Sequence, residues 1–273
     1  MEDNKNPKPI EGNLITVSTL RSDLERLGVT EGMTLLIHSS FKSLGSWVLG
    51  GPVSVLLALE GAVGETGTLV MPTHSGDLSD PAGWSNPPVP EAWWDNIRKE
   101  MPPYQVDLTP LWGMGIIPDT FRRQTGTKRS GHPQVSFAAR GSNADFIAGH
   151  HSLDNSLGEE SPLARVYDNK GWVLLMGVTH HSNTSLHLAE YRASYLSKKP
   201  ITNQAPMMID SERKWVQFND IEFNSDDFEQ IGSDFEKDTG LVIRGRIAGA
   251  AAMLMPQAEL VDYGTRWMQK NRL

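Results

Sequence analysis

The run Gly171 to Val178, Gly-Trp-Val-Leu-Leu-Met-Gly-Val, constrains the fold of this chain more than any other segment. An unalternating apolar run of this length, bounded by glycines, suits a strand buried on both faces at the centre of a sheet. The polar cluster Thr179 to Arg192 follows at once, and ligands in open α/β sheets gather beyond the carboxyl ends of the strands. His180, His181, His187 and Glu190 therefore fall where a site is expected. A helix predicted to begin near Ser182 or Asn183 would put His187 and Glu190, three residues apart, on one face where both can act on one substrate atom. An imidazole that is neutral near physiological pH is the usual proton acceptor for an amine or hydroxyl nucleophile.

The rest of the chain supplies partners for that strand. Leu20, Leu24 and Leu27 recur at helical spacing within Thr16 to Leu27, and Gly28 ends the helix. Met33 to His38 reads as a short strand, Ser54 to Val63 as a helix, Thr68 to Met71 as a strand, Ile117 to Arg123 as a helix and Ser136 to Ala139 as a strand. This alternation predicts an α/β fold with a mixed, largely parallel central sheet flanked by helices. Residues 1–273 read as one domain with two additions. An excursion at about 75–109, dense in Pro, Trp, Asp and Ser, is too long and aromatic for a linker and is expected to lie over the active site, with Trp84, Trp93 and Trp94 either touching substrate or packing a subdomain. A part at about 200–245 forms a smaller appended subdomain, with a hairpin of Met207 to Ile209 and Lys214 to Phe218 followed by an acidic helix, Asp226 to Thr239. Ile247 to Met255, small and uncharged, suits close backbone packing or a strand and helix junction, and Ala258 to Gln269 reads as a closing helix.

Composition removes several function classes. The 273 residues contain no cysteine, which excludes disulfides, thiolate metal sites and acyl-cysteine intermediates, so group transfer needs another nucleophile or a direct route. A net charge of −8 argues against nucleic acid and suits a cationic ligand. No stretch reaches the roughly 18 apolar residues of a membrane helix, and the polar start lacks the apolar core of a secretory signal, so a cytoplasmic protein, monomer or homodimer, is expected.

Three further segments carry groups that can do chemistry. His38, Ser39, Ser40, Ser43, Leu44 and Gly45 form a turn between a strand and a helix, which either aims N–H groups and hydroxyls at a phosphate or is an ordinary loop; it lacks the Gly-Lys-Ser/Thr ending of a P-loop. Arg129 to Pro133 places a cation, a hydroxyl and an imidazole in a turn, as an oxyanion-binding loop does. His150 and His151, in a loop, suit structural hydrogen bonding. His180, His181, His187 and Glu190 are also the residue types of a metal site, but the spacing lacks His-Glu-x-x-His, and acid–base use is the favoured reading, with no metal assigned.

Ordered blocks along nearly the whole chain resemble the aminoglycoside 3-N-acetyltransferase family. They are Ile37 to Ser40 with Ser43 to Gly45, Gly67 to Thr73, Trp84 to Pro90, Thr109-Pro110 with Met114-Gly115, Arg129 to Pro133 with Ser136 to Ala138, Leu157 to Pro162, and Asn183-Thr184 with Leu186 to Glu190. The resemblance implies a fold distinct from the common acetyltransferase superfamily and acetyl-CoA as co-substrate. It also implies His187 as the base that deprotonates the acceptor amine, and Glu190 as the residue that orients the imidazole or helps hold the amine. By the same resemblance the turn from His38 through Gly45 lines the coenzyme A cleft, with Thr73 and Ser161 nearer the thioester. The acceptor is then a small cationic amine, an aminoglycoside or similar amino sugar acetylated at its 3-amino group, with Asp77, Asp80, Asp107 or Glu190 available to pair with it. Acyl transfer to a different amine, a metal-dependent hydrolase built on His180, His187 and Glu190, and a binder without turnover are the competing functions.

Overall fold

The computed structural model describes residues 12–273. The chain runs from α1 (Val17–Leu27) through β1 (Thr34–Ser39), α2 (Pro52–Val63), β2 (Thr68–Pro72), α3 (Trp94–Glu100), α4 (Ile116–Arg122), β3 (Lys128–Arg129), β4 (Phe137–Gly141), α5 (Ala144–Ala148) and α6 (Pro162–Asp168) to β5 (Trp172–Met176), the strand expected from the Gly171 run. After it come α7 (Ser185–Arg192), β6 (Pro200–Ile209), β7 (Glu212–Ile221), α8 (Phe228–Thr239), β8 (Ile243–Ile247), β9 (Ala250–Pro256) and α9 (Gln257–Asn271). No helix among the described residues is long and apolar enough to cross a membrane.

Seven strands form one sheet in the order β3-β4-β2-β1-β5-β9-β8. Its centre, β2-β1-β5, is parallel, with Leu35 opposite Leu69 and Ile37 opposite Leu174. The sheet is mixed, as expected, but parallel pairing is confined to these three strands, and β4, β3, β9 and β8 all pair antiparallel. Short connections account for β3-β4 and β8-β9, because a tight turn joins only antiparallel neighbours, whereas β4 and β9 reach β2 and β5 after long excursions of the chain. The stretch Ile247 to Met255, expected as close packing or a junction, contains such a turn at Ala248 and Gly249, and it sets Ala252 and Leu254 opposite Met176 and Leu174 of β5.

Successive residues of each central strand face opposite sides of the sheet. Leu35, Ile37, Leu69, Met71, Leu174 and Met176 pack with α1, α2 and α4, whereas Leu36, Val70, Val173 and Leu175 pack with α5 to α9. Burial on both sides is why β5 shows no alternation in sequence.

The hairpin β6-β7 is a separate two-stranded sheet, longer than the sequence pattern suggested, with ten residues in each strand. Its turn is the two residues Asp210 and Ser211, both at positive φ, rather than the four expected. The Pro/Trp-rich excursion packs onto this hairpin: Arg213 donates to the carbonyls of Arg98 and Met101, and the Tyr104 N–H donates to Pro206. Trp84 and Trp93 line a shallow apolar cleft there with Val89, Ile97 and Met101.

Gly177, directly after β5, fixes how the chain leaves the sheet. Its φ of +68° is a conformation side chains disfavour, and a Cβ there would overlap the Ser43 side chain. Gly177→Ala is expected to destabilise the protein by about 2–4 kcal/mol through backbone strain and overpacking. Urea unfolding with an unchanged midpoint would show that the turn at Ser43 does not depend on this contact.

Candidate active site

The carboxyl ends of the three parallel strands open into one cleft of about 300 Å³. β1 contributes His38 and Ser39, and the end of β2 contributes Pro72 and His74. Val178 follows β5, His181 and Ser182 come from the turn before α7, and Thr184 and His187 belong to α7 and its cap. Gly113, Met114 and Pro118 close the far wall. None of the lining comes from the excursion at 75–109, whose return strand of chain instead leads into Gly113 through the Trp112 N–H bond to the His74 carbonyl.

His187 is fixed on three sides. Its Nδ1 lies 2.5 Å from Oε2 of Glu190, and its ring packs between Phe223 and Phe228, with centroids 4.8 and 4.9 Å away. A carboxylate accepts only, so Nδ1 carries the proton in the neutral ring and Nε2 presents its lone pair. The Glu190 carboxylate is fully buried: Oε2 faces His187, and Oε1 accepts from Arg272 at 2.6 Å and from the Asn224 N–H at 3.1 Å. Of the two roles expected for Glu190, orienting the imidazole fits this geometry. Contact with an acceptor amine does not, because no oxygen reaches the cleft.

Two more imidazoles face His187. Burial, reinforced by His187, lowers the pKa of His38 to about 3, and its Nε2 lies 3.4 Å from Thr184 Oγ1. Burial likewise lowers His74 to about 3, with His187 and His38 adding to the effect, and its Nε2 is buried with no partner among the described residues. Both rings are neutral at pH 7, so they offer hydrogen bonds and not charge.

The remaining expected site residues lie elsewhere. Ser40 donates its N–H to the Met176 carbonyl, and Ser43 donates its hydroxyl to the Ser40 carbonyl, so both serve the turn itself. The Leu44 side chain is in the core, and Gly45, at φ +80°, lines a separate groove with Ser46 and Gly249. Thr73 is buried against Ser136, their hydroxyls 3.1 Å apart, one layer beneath the cleft. Ser161 is buried at the start of α6 and donates to the Gly158 carbonyl. Neither hydroxyl reaches the cleft, because each sits on an element end that packs inward. Asp80 is held by Arg98. Arg129 is no oxyanion trap: its guanidinium donates to Ser136 and to the carbonyls of Val106, Thr109 and Thr73, and so ties three segments together. His151 bridges Ser130 and the Ser156 carbonyl, as expected of a structural imidazole.

His180 turns away from His187 and packs its ring on Gly232 of α8, where a Cβ would overlap it. With both Glu190 oxygens engaged, His180, His187 and Glu190 do not converge on one point as a hydrolytic metal site requires. Among the described residues no cluster of three His, Asp or Glu is placed to hold a metal ion. Sequence reasoning missed His74 and Thr184 as cleft residues. His74 stands just past the end of a parallel strand, the same signal that marked His38.

An imidazole held by a buried carboxylate at the carboxyl edge of a parallel sheet is an arrangement suited to acid–base chemistry, and a chain without cysteine has no thiol to carry an acyl group. The sequence profile of the aminoglycoside 3-N-acetyltransferase family matches residues 36–269, and the chain belongs to that family. It is an aminoglycoside N-acetyltransferase-like enzyme with acetyl-CoA as co-substrate. Its sequence is 42% identical, over 94% of this chain and 93% of the relative, to the SPbeta prophage-derived aminoglycoside N(3')-acetyltransferase-like protein YokD of Bacillus subtilis. The crystal structure of YokD superposes with a TM-score of 0.92 over 95% of both chains at 41% identity. AAC-IIIb, solved as a binary complex with CoASH, gives 0.84 at 28% identity over 95% of this chain and 98% of that one. AAC-VIa bound to sisomicin gives 0.86 at 28% identity over 95% and 99%.

Proposed function

We propose that this chain acetylates the 3-amino group of an aminoglycoside or similar amino sugar by direct transfer in a ternary complex, with His187 as general base. The observation that carries the reading is the His187–Glu190 contact of 2.5 Å, which leaves Nε2 without a partner among the described residues, in a cleft shared with the neutral imidazoles of His38 and His74. The acceptor nitrogen attacks the thioester carbonyl carbon, the C–N bond forms, and Nε2 takes the proton the amine must shed. As the C–S bond breaks, that proton passes to the departing thiolate, so the ring returns neutral and the enzyme gains nothing covalently. His38 and His74 supply hydrogen bonds to the carbonyl oxygen as charge develops on it. The CoASH complex of AAC-IIIb supports coenzyme A as the carrier of the acyl group, and the sisomicin complex of AAC-VIa supports a polycationic acceptor, which the net charge of −8 favours.

The test is thiol release from acetyl-CoA with aminoglycosides that carry or lack a free 3-amine. Turnover restricted to the free-amine acceptors is the expected result. Equal turnover on acceptors without that amine would move the regiochemistry, and binding of coenzyme A without turnover on any would move the acceptor class.

A further inference from the structure

A carboxylate as buried as Glu190 needs a compensating charge, and a His187 that is to accept a proton cannot supply one. Arg272, just beyond α9 and 82 residues from Glu190 in sequence, does. Its side chain is 7% exposed. One terminal nitrogen donates to Glu190 Oε1 at 2.6 Å and to the Tyr195 hydroxyl at 3.2 Å. The other donates to Asp227 Oδ1 at 2.6 Å and the Asn224 carbonyl at 2.8 Å, and Nε donates to Asp227 Oδ2 at 2.8 Å. The guanidinium also lies over the Tyr195 ring, 5.2 Å from its centroid. Asp227 thus clamps the fork from one side, and the fork's remaining prong fixes Glu190. Because Arg272 and the Asn224 N–H both occupy Oε1, Oε2 is the oxygen left for His187.

We propose that Arg272 is a positioning residue for the transfer reaction: by holding Oε1 of Glu190, it fixes the oxygen that orients His187 and compensates the buried negative charge behind the base. The proposal rests on the reading of His187 as base. The charged and titratable groups facing Glu190 are His187 of α7, Arg272, Asp227 before α8, and Tyr195 and Lys198 after α7. Lys198 gives its ammonium to the carbonyls of Tyr191 and Ala193, so Arg272 is the cation bonded directly to the carboxylate.

Removing that cation leaves the His187–Glu190 pair with an uncompensated negative charge, so the pair takes up its first proton at higher pH. Arg272→Met is expected to lower kcat by about 10–100-fold, to leave KM for acetyl-CoA within about threefold, and to move the acid limb of kcat/KM upward by about one pH unit. Arg272→Lys keeps a charge but loses the fork, and is expected to recover part of the rate, with a smaller displacement of the limb. Folding is monitored by circular dichroism, and His187→Ala is assayed alongside. A folded Arg272→Met with wild-type kcat and wild-type pH profile overturns the proposal. If Arg272→Met does not fold, Arg272→Lys decides: wild-type kcat together with an unmoved acid limb overturns it, and a loss of about threefold or more with a displaced limb supports it. If His187→Ala itself keeps wild-type turnover, the reading of the base fails, which is distinguishable from an inert Arg272 beside an inactive His187→Ala.

Discussion

His187→Ala is expected to lower kcat by at least about 10²-fold while coenzyme A affinity stays within a few-fold of wild type. Positioned proton transfer contributes about 10²–10⁴-fold, and removing the ring removes the imidazole that Glu190 orients at the cleft. His38 and His74 share the cleft, but burial lowers both to about 3, and nitrogens that hold a proton so weakly are poor acceptors at neutral pH. Water can take the proton instead, at the uncatalysed rate. Affinity for the cofactor is spared because the base acts on the amine in the transition state, so kcat falls and the dissociation constant does not. Stopped-flow thiol release and calorimetry measure the two quantities separately. An unchanged kcat would remove His187 from the chemistry, whereas a parallel loss of coenzyme A binding would give it a cofactor-binding role instead.

The second large effect is on stability against acid. Burial is the main cause that lowers His38 and His74 to about 3 and His151 to about 4, and burial with His151 nearby lowers His132 well below its ordinary value. In the unfolded chain each titrates near 6.5. The folded state therefore binds fewer protons than the unfolded state between about pH 6.5 and 4, and stability falls as pH falls through that window. Each lagging group costs about 1.4 kcal/mol per pH unit below 6.5, or about 2 kcal/mol at pH 5. Half of the total for the four groups, about 4 kcal/mol, lowers Tm by about 10 °C in a domain of this size. The carboxylates held low by arginines, Asp80, Glu159 and Glu236, act only below about pH 4.5, so the histidines dominate between pH 7.5 and 5. Melting curves across that interval give the measurement, and a flat Tm would mean that these rings protonate without unfolding the chain.

The legible parts of the site were those carried by short-range pattern. His187 and Glu190 are three apart on one helix, and the apolar run before them identified the strand that delivers them. Thr73 and Ser161 were drawn toward the cleft by resemblance of short blocks, but adjacent positions on a strand end face opposite ways: Pro72 and His74 line the cleft while Thr73 lies beneath it. At the end of β1, a one-residue step likewise separates Ser39, in the cleft, from Ser40, bonded to β5. The excursion was expected over the active site because of its length and its tryptophans, yet the Arg213 guanidinium and the Tyr104 N–H tie it to the hairpin.

Sequence by itself determined the strand and helix alternation, the centre of the sheet, the family and the His–Glu pair, since each is written in contiguous residues whose period or identity is visible locally. The tertiary structure alone decided the antiparallel flanks, the neutral imidazoles at His38 and His74, and the support of Glu190 by Asn224, Asp227 and Arg272. Those depend on desolvation and on contacts between segments far apart in the chain, and no local pattern records either.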